Sequence, residues 1–153
     1  VAVYIVHMDT DKKCKLDFVE DYIAPMYPLK RVDGMNILSL EDIYLRKIYT
    51  IAGHISVVND IGQAVLTGGR QQAKDFYDVY CLSTITEPLS KFVSKYCNNA
   101  IKAGIIRWYQ TYDRLEMKTG LTDIITKTRP DYRLIENHFK VQIDNLLEEI
   151  IGE

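Results

Sequence analysis

The chain has 153 residues, 47 % of them hydrophobic and 26 % charged, with 21 acidic against 19 basic side chains and a formal net charge of −2. That balance suits one soluble globular domain, with two lobes allowed, and excludes any global attraction to a phosphate backbone, so nucleic-acid contact would need a local basic patch. No apolar run reaches the roughly 20 residues of a membrane span, no secretory signal pattern opens the chain, and the scattered Cys14, Cys81 and Cys97 form no CxxC, as expected of reduced thiols in a cytoplasmic protein.

Val1 to Met8 is a β-branched and aromatic run that reads as a buried strand. A buried strand at the first residue gives the expectation of a truncated domain. The polar Asp9-Thr10-Asp11-Lys12 turn leads into a second strand, Lys13 to Glu20, so the pair reads as a hairpin. Asp17 falls at the centre of that second strand, where aspartate is disfavoured. Residues 21 to 38 hold Pro25, Pro28 and Gly34 and read as a loop with a short strand at Met35 to Leu38.

Ser39-Leu40-Glu41-Asp42 has the form of a capping box. The helix it starts carries Leu40, Ile43, Tyr44, Ile48 and Ile51 on one side, and at about 100° per residue Lys47 falls inside that stripe. Arg46 falls outside it and reads as a solvated charge. Gly53 closes the helix, and residues 55 to 69 read as a short helix followed by a turn. A strong helix is expected from Arg70 to about Leu82, with Gln71, Asp75 and Asp78 sharing a face. Further helices are expected over 87–98, 99–117 and 131–151.

Much familiar chemistry is missing from the sequence: there is no P-loop, GxGxxG, HExxH or nucleophile elbow. His7, His54 and His138 lack partners at ligand spacing and read as ordinary histidines. Asp9-Thr10-Asp11 has the spacing of a metal-binding carboxylate pair, but it lies where a hairpin turn favours aspartate for backbone reasons. What remains is a strand aspartate, Asp17, an inward Lys47, and Asp75 and Asp78 near Arg70 and Lys74. Phosphoryl and nucleotidyl transfer use that mixture, with carboxylates for Mg²⁺ and a lysine for phosphate charge. The plain alternative is a Lys47–Asp75 or Lys74–Asp78 ion pair on helix surfaces.

Four elements occur in order: Lys15-Leu16-Asp17-Phe18-Val19; Val32-Asp33-Gly34; Ser39-Leu40-Glu41-Asp42 with Lys47 following; and Arg70 with Lys74-Asp75-Phe76-Tyr77-Asp78-Val79-Tyr80. Together they resemble the AbiEii-type nucleotidyltransferase toxin family over residues 1 to 85. The resemblance implies an α+β fold, with a partial nucleotidyltransferase-like mixed sheet over 1–85 and a helical lobe over 86–153. It implies Asp17, Lys47 and Asp75 as catalytic residues, Asp17 also as a metal ligand, and Arg70, Lys74 and Asp78 as nucleotide or substrate contacts. Mg²⁺ and an NTP are the implied cofactor and substrate, tRNA or another RNA or a protein the acceptor, and an antitoxin protein a partner. The family's Gly-Ser turn has no counterpart, since the chain contains no Gly-Ser pair, and Asp9-Thr10-Asp11 lacks that turn upstream. The chain therefore resembles the C-terminal portion of such an enzyme, inactive by itself.

Two other functions fit the residues. One is a non-catalytic helical interaction module. The other is RNA binding by the late helices, where Lys102, Arg107, Arg114, Lys118, Lys127, Arg129 and Arg133 recur beside Trp108, Tyr109, Tyr112 and Tyr132. The Val1 to Val6 strand, if left with an open edge, also suggests a homodimer.

Overall fold

The computed structural model describes residues 2–6, 13–17, 24–53, 56–58, 64–66, 72–124 and 131–152, and for the first two and for 56–58 and 64–66 it gives the backbone alone. Among these residues the protein is mostly helical, an α+β chain of six helices and six short strands. β1 (Ala2–Val6) pairs antiparallel with β2 (Lys13–Asp17), as expected, with Ala2 opposite Asp17 and Val6 opposite Lys13. β3 (Lys30–Val32) and β4 (Met35–Ile37) form a second hairpin, β5 (Ser56–Val58) and β6 (Ala64–Leu66) a third. The described strands pair as three two-stranded antiparallel sheets. Each run is short and finds its partner in the next run along the chain.

Two of these hairpins correct the sequence reading. Asp33 and Gly34 both have positive φ, 49° and 82°, which is the pattern of a primed two-residue turn between matched strands. Residues 55–69, expected as a short helix followed by a turn, contain β5 and β6 instead. Val57, Val58 and Val65 are β-branched, and Asn59, Asp60 and Gly62 between the strands are turn formers.

The helices are α1 (Leu40–Ala52), α2 (Ala73–Ile85), α3 (Leu89–Tyr96), α4 (Asn99–Thr111), α5 (Arg114–Leu121) and α6 (Tyr132–Gly152). The expected 99–117 helix is broken in two because Tyr112 is extended and Asp113 caps a new start, accepting from the N–H groups of Leu115 at 2.8 Å and Glu116 at 2.9 Å. α1 lies against α2 and α4, α2 against α5 and α6, and α3 and α4 against α6. One apolar cluster runs through all six, from Tyr44 and Ile48 through Phe76 and Trp108 to Phe139 and Leu146. It draws on helices from both sides of residue 85, where the sequence suggests a boundary. Phe76 sits at its middle, stacked on Phe139 with ring centroids 4.5 Å apart and tilted against Trp108 and Tyr112.

Candidate functional site

The site is built where α1 crosses α2. Ser39 starts α1: its hydroxyl oxygen accepts from the Asp42 N–H at 3.0 Å, and Gly53, in the left-handed conformation, ends it. Tyr44, Ile48 and Ile51 go fully into the core on the face that meets α2 and α4, and they carry Lys47 with them to the edge of the seam. The lysine stem follows the apolar surface while its ammonium reaches out, leaving the side chain 29 % exposed.

α2 supplies the counter-charges. Asp75 is in its first turn, where unpaired backbone N–H groups favour a negative side chain, and Phe76 beside it is anchored in the core. Asp75 is buried at 1 % exposure, with Oδ1 3.2 Å from Lys47 Nζ. Asp78, one turn further along, is 40 % exposed and closer, with Oδ2 2.7 Å from the same ammonium. Burial pushes the Lys47 pKa down, but Asp78 and then Asp75 more than offset it, so the net shift is upward and the group stays an ammonium. One positive and two negative groups leave this trio with a net charge of −1.

Four of the six expected site residues, Lys47, Lys74, Asp75 and Asp78, are described with their side chains at this end of α2 or opposite it. Lys47, Asp75 and Asp78 are brought together. Lys74 is exposed, and the partner the structure gives Asp78 is Lys47 in place of Lys74. Asp17 is the last described residue of β2, opposite Ala2, and only its backbone is described. Arg70, Gln71 and the Asp9-Thr10-Asp11 stretch lie outside the described residues.

For a divalent metal the fit is poor. Among the described residues no group of three or more His, Cys, Asp or Glu side chains is placed to hold an ion. Asp75 and Asp78 turn their oxygens to an ammonium, which takes the place of the cation a carboxylate pair would otherwise chelate. The side chain of Asp17, the metal ligand that the resemblance implies, and the Asp9-Thr10-Asp11 stretch lie outside the described residues.

Asp42 has a role that the capping box did not reveal. Its carboxylate is fully buried, and it accepts from the Ser39 hydroxyl at 2.7 Å, the Met26 N–H at 2.6 Å and the Tyr27 N–H at 3.4 Å, tying the Pro25–Pro28 loop to α1. Arg46, expected as a solvated charge, is 19 % exposed and lies 3.9 Å from the same carboxylate. Sequence offered no signal for this beyond the box itself, because the loop donors are backbone groups.

In the late helices the aromatic and basic residues divide between the core and the surface, with Tyr109 and Tyr132 half-buried. Trp108 and Tyr112 are 2 % and 3 % exposed and belong to the core. Lys102 is buried and its ammonium sits 2.7 Å from Glu149. Tyr109, Tyr112 and Tyr132 instead turn their hydroxyls toward Glu136, and the Arg114 guanidinium lies 4.9 Å over the Tyr112 ring. Arg107, Lys118 and Arg133 are exposed, while Lys127 and Arg129 lie outside the described residues. His138 is half-buried, its Nε2 2.7 Å from the Ser83 hydroxyl and its ring edge-on to Tyr80, a packing contact inside the bundle. His7 and His54 also lie outside the described residues.

No helix among the described residues is long and apolar enough to cross a membrane. Comparison with known proteins finds no family model, no curated protein and no solved structure that matches this chain.

Proposed function

We propose that the chain is part of a nucleotidyltransferase-like toxin in which Lys47 contacts the phosphates of an NTP. The observation that carries this reading is a single ammonium gripped by Asp75 and Asp78 at a helix crossing, with 29 % of the side chain left open to solvent. A cation placed in advance of its ligand is what phosphoryl chemistry uses, since positioning and electrostatics are most of the catalysis. Asp17, Arg70 and Lys74 complete the set by resemblance, and an RNA or protein acceptor and an antitoxin partner come with it. Asp75 and Asp78 serve Lys47 and leave any Mg²⁺ to other carboxylates, of which Asp17 is the one the resemblance names. With no Gly-Ser pair in the sequence, the proposal for residues 1–153 is nucleotide binding, and transfer would require that turn and its DxD strand.

A second reading has its own observation. The Lys47 ammonium is already paired with two carboxylates, as in a structural clasp between α1 and α2 of a non-catalytic helical module. Calorimetric titration of ATP, GTP, CTP and UTP separates the two. The nucleotide reading expects at least one to bind, and Lys47→Ala to weaken it about tenfold or more, as loss of a charge-assisted contact does. Because Lys47→Ala takes a cation away from a buried carboxylate, the double variant Lys47→Met/Asp75→Asn, which removes both charges, is the folded control and should bind equally poorly. Failure of all four nucleotides to bind, or unchanged affinity in both variants, leaves the clasp.

A further inference from the structure

We infer that Asp78 is a built-in stand-in for the ligand's phosphate, holding Lys47 until an anion displaces it. The inference rests on the reading of Lys47 as a phosphate contact and adds a division of labour between its two carboxylates.

The two differ in what their surroundings allow. Asp75 is 1 % exposed, fixed in the first turn of α2 next to a core phenylalanine, and cannot leave the ammonium without opening the helix crossing. Asp78 is 40 % exposed, so its carboxylate can rotate into water at little cost. It is also the nearer partner, at 2.7 Å against 3.2 Å. A carboxylate oxygen at that distance from an ammonium occupies the place a phosphoryl oxygen would take.

With both carboxylates in place, two negative groups already answer the Lys47 ammonium. With Asp78 turned away, the place it occupied beside the ammonium is open to an incoming phosphoryl oxygen. Asp75 then orients Lys47, and Asp78 sets how readily the site accepts an anion.

The test is calorimetric titration of inorganic tripolyphosphate, with EDTA present, into the 153-residue chain and its variants. Asp78→Asn keeps the shape and removes the competing charge, so it should tighten tripolyphosphate about threefold to fivefold, the scale of one exposed ion pair. The gain should shrink with added salt, which a merely structural effect would not do. Asp75→Asn should give no tightening, and the Asp78→Asn result decides the matter even if Asp75→Asn loses its fold. Unchanged or weaker binding by Asp78→Asn, with wild-type binding still dependent on Lys47, overturns the inference and leaves the nucleotide reading standing. Binding by neither wild type nor Asp78→Asn overturns both.

Discussion

Burial alone would favour a protonated Asp42, since moving a carboxylate out of water penalises its charged form. Hydrogen bonds from Ser39, Met26 and Tyr27, with Arg46 nearby, outweigh that penalty and hold its pKa below the ordinary carboxylate range. An acid whose folded pKa lies below its unfolded one contributes stability that is present above the unfolded value, about 4, and is lost as pH falls through the folded one. Urea midpoints should therefore drop on acidification below about pH 4, and Asp42→Asn should flatten that decline while costing about 1 to 3 kcal/mol at neutral pH. An acid limb unchanged in Asp42→Asn would mean that other carboxylates carry it. The same residue marks the limit of sequence reading at this scale. Ser39 and Lys47 were readable because a cap and a helical stripe are local patterns, three to eight residues wide. The Asp42 donors lie 15 and 16 residues upstream in a proline-bearing loop, and no periodicity connects them. Likewise, the inward direction of Lys47 follows from helical spacing, but its choice of Asp75 and Asp78 follows from how α1 and α2 cross.

At the scale of elements, the crossing of α1 and α4 depends on one missing side chain. A Cβ on Gly104 would sit 2.5 Å from the Ala52 carbonyl oxygen and 3.1 Å from the Ala52 Cβ, and the first of these is backbone that cannot rotate aside. Gly104→Ala should therefore destabilise by about 1 to 3 kcal/mol through forced separation of the helices, although alanine is the better helix former by nearly 1 kcal/mol. Thermal melts of the variant settle the sign: a raised Tm would show that propensity wins and the contact yields. Nothing in the sequence around Gly104 distinguishes it from a tolerated helix glycine, because the partner is 52 residues earlier. Other elements depend on local signals of unequal strength. Asp33-Gly34 is a turn signal that pairs β3 with β4, whereas Asp113 sits inside a continuous helical pattern that conceals its cap. Residues 55 to 69 are too short and too mixed for either period to dominate, so the β-branched content of β5 and β6 decides there.

For the whole molecule, the question is whether residues on the two sides of position 85 unfold together. Trp108 answers it, because it lies between Phe76 of α2 at 5.7 Å and Phe139 of α6 at 5.3 Å, where the helices before and after that position meet. Phe139 is fully buried and stacks on Phe76, so its removal empties the centre of the shared cluster. Phe139→Ala should cost about 3 to 5 kcal/mol, a large part of the stability of a domain this size. If one core holds the molecule, denaturant curves followed by Trp108 fluorescence and by far-ultraviolet circular dichroism coincide in the wild type and move together in the variant. Two independent units would give a fluorescence transition displaced from the helical one, with Phe139→Ala shifting only the later part. That outcome would also detach the Lys47–Asp75 crossing from the helices behind it. Coincident curves would instead make Phe76, one residue from Asp75, the link through which α6 holds the candidate site in place.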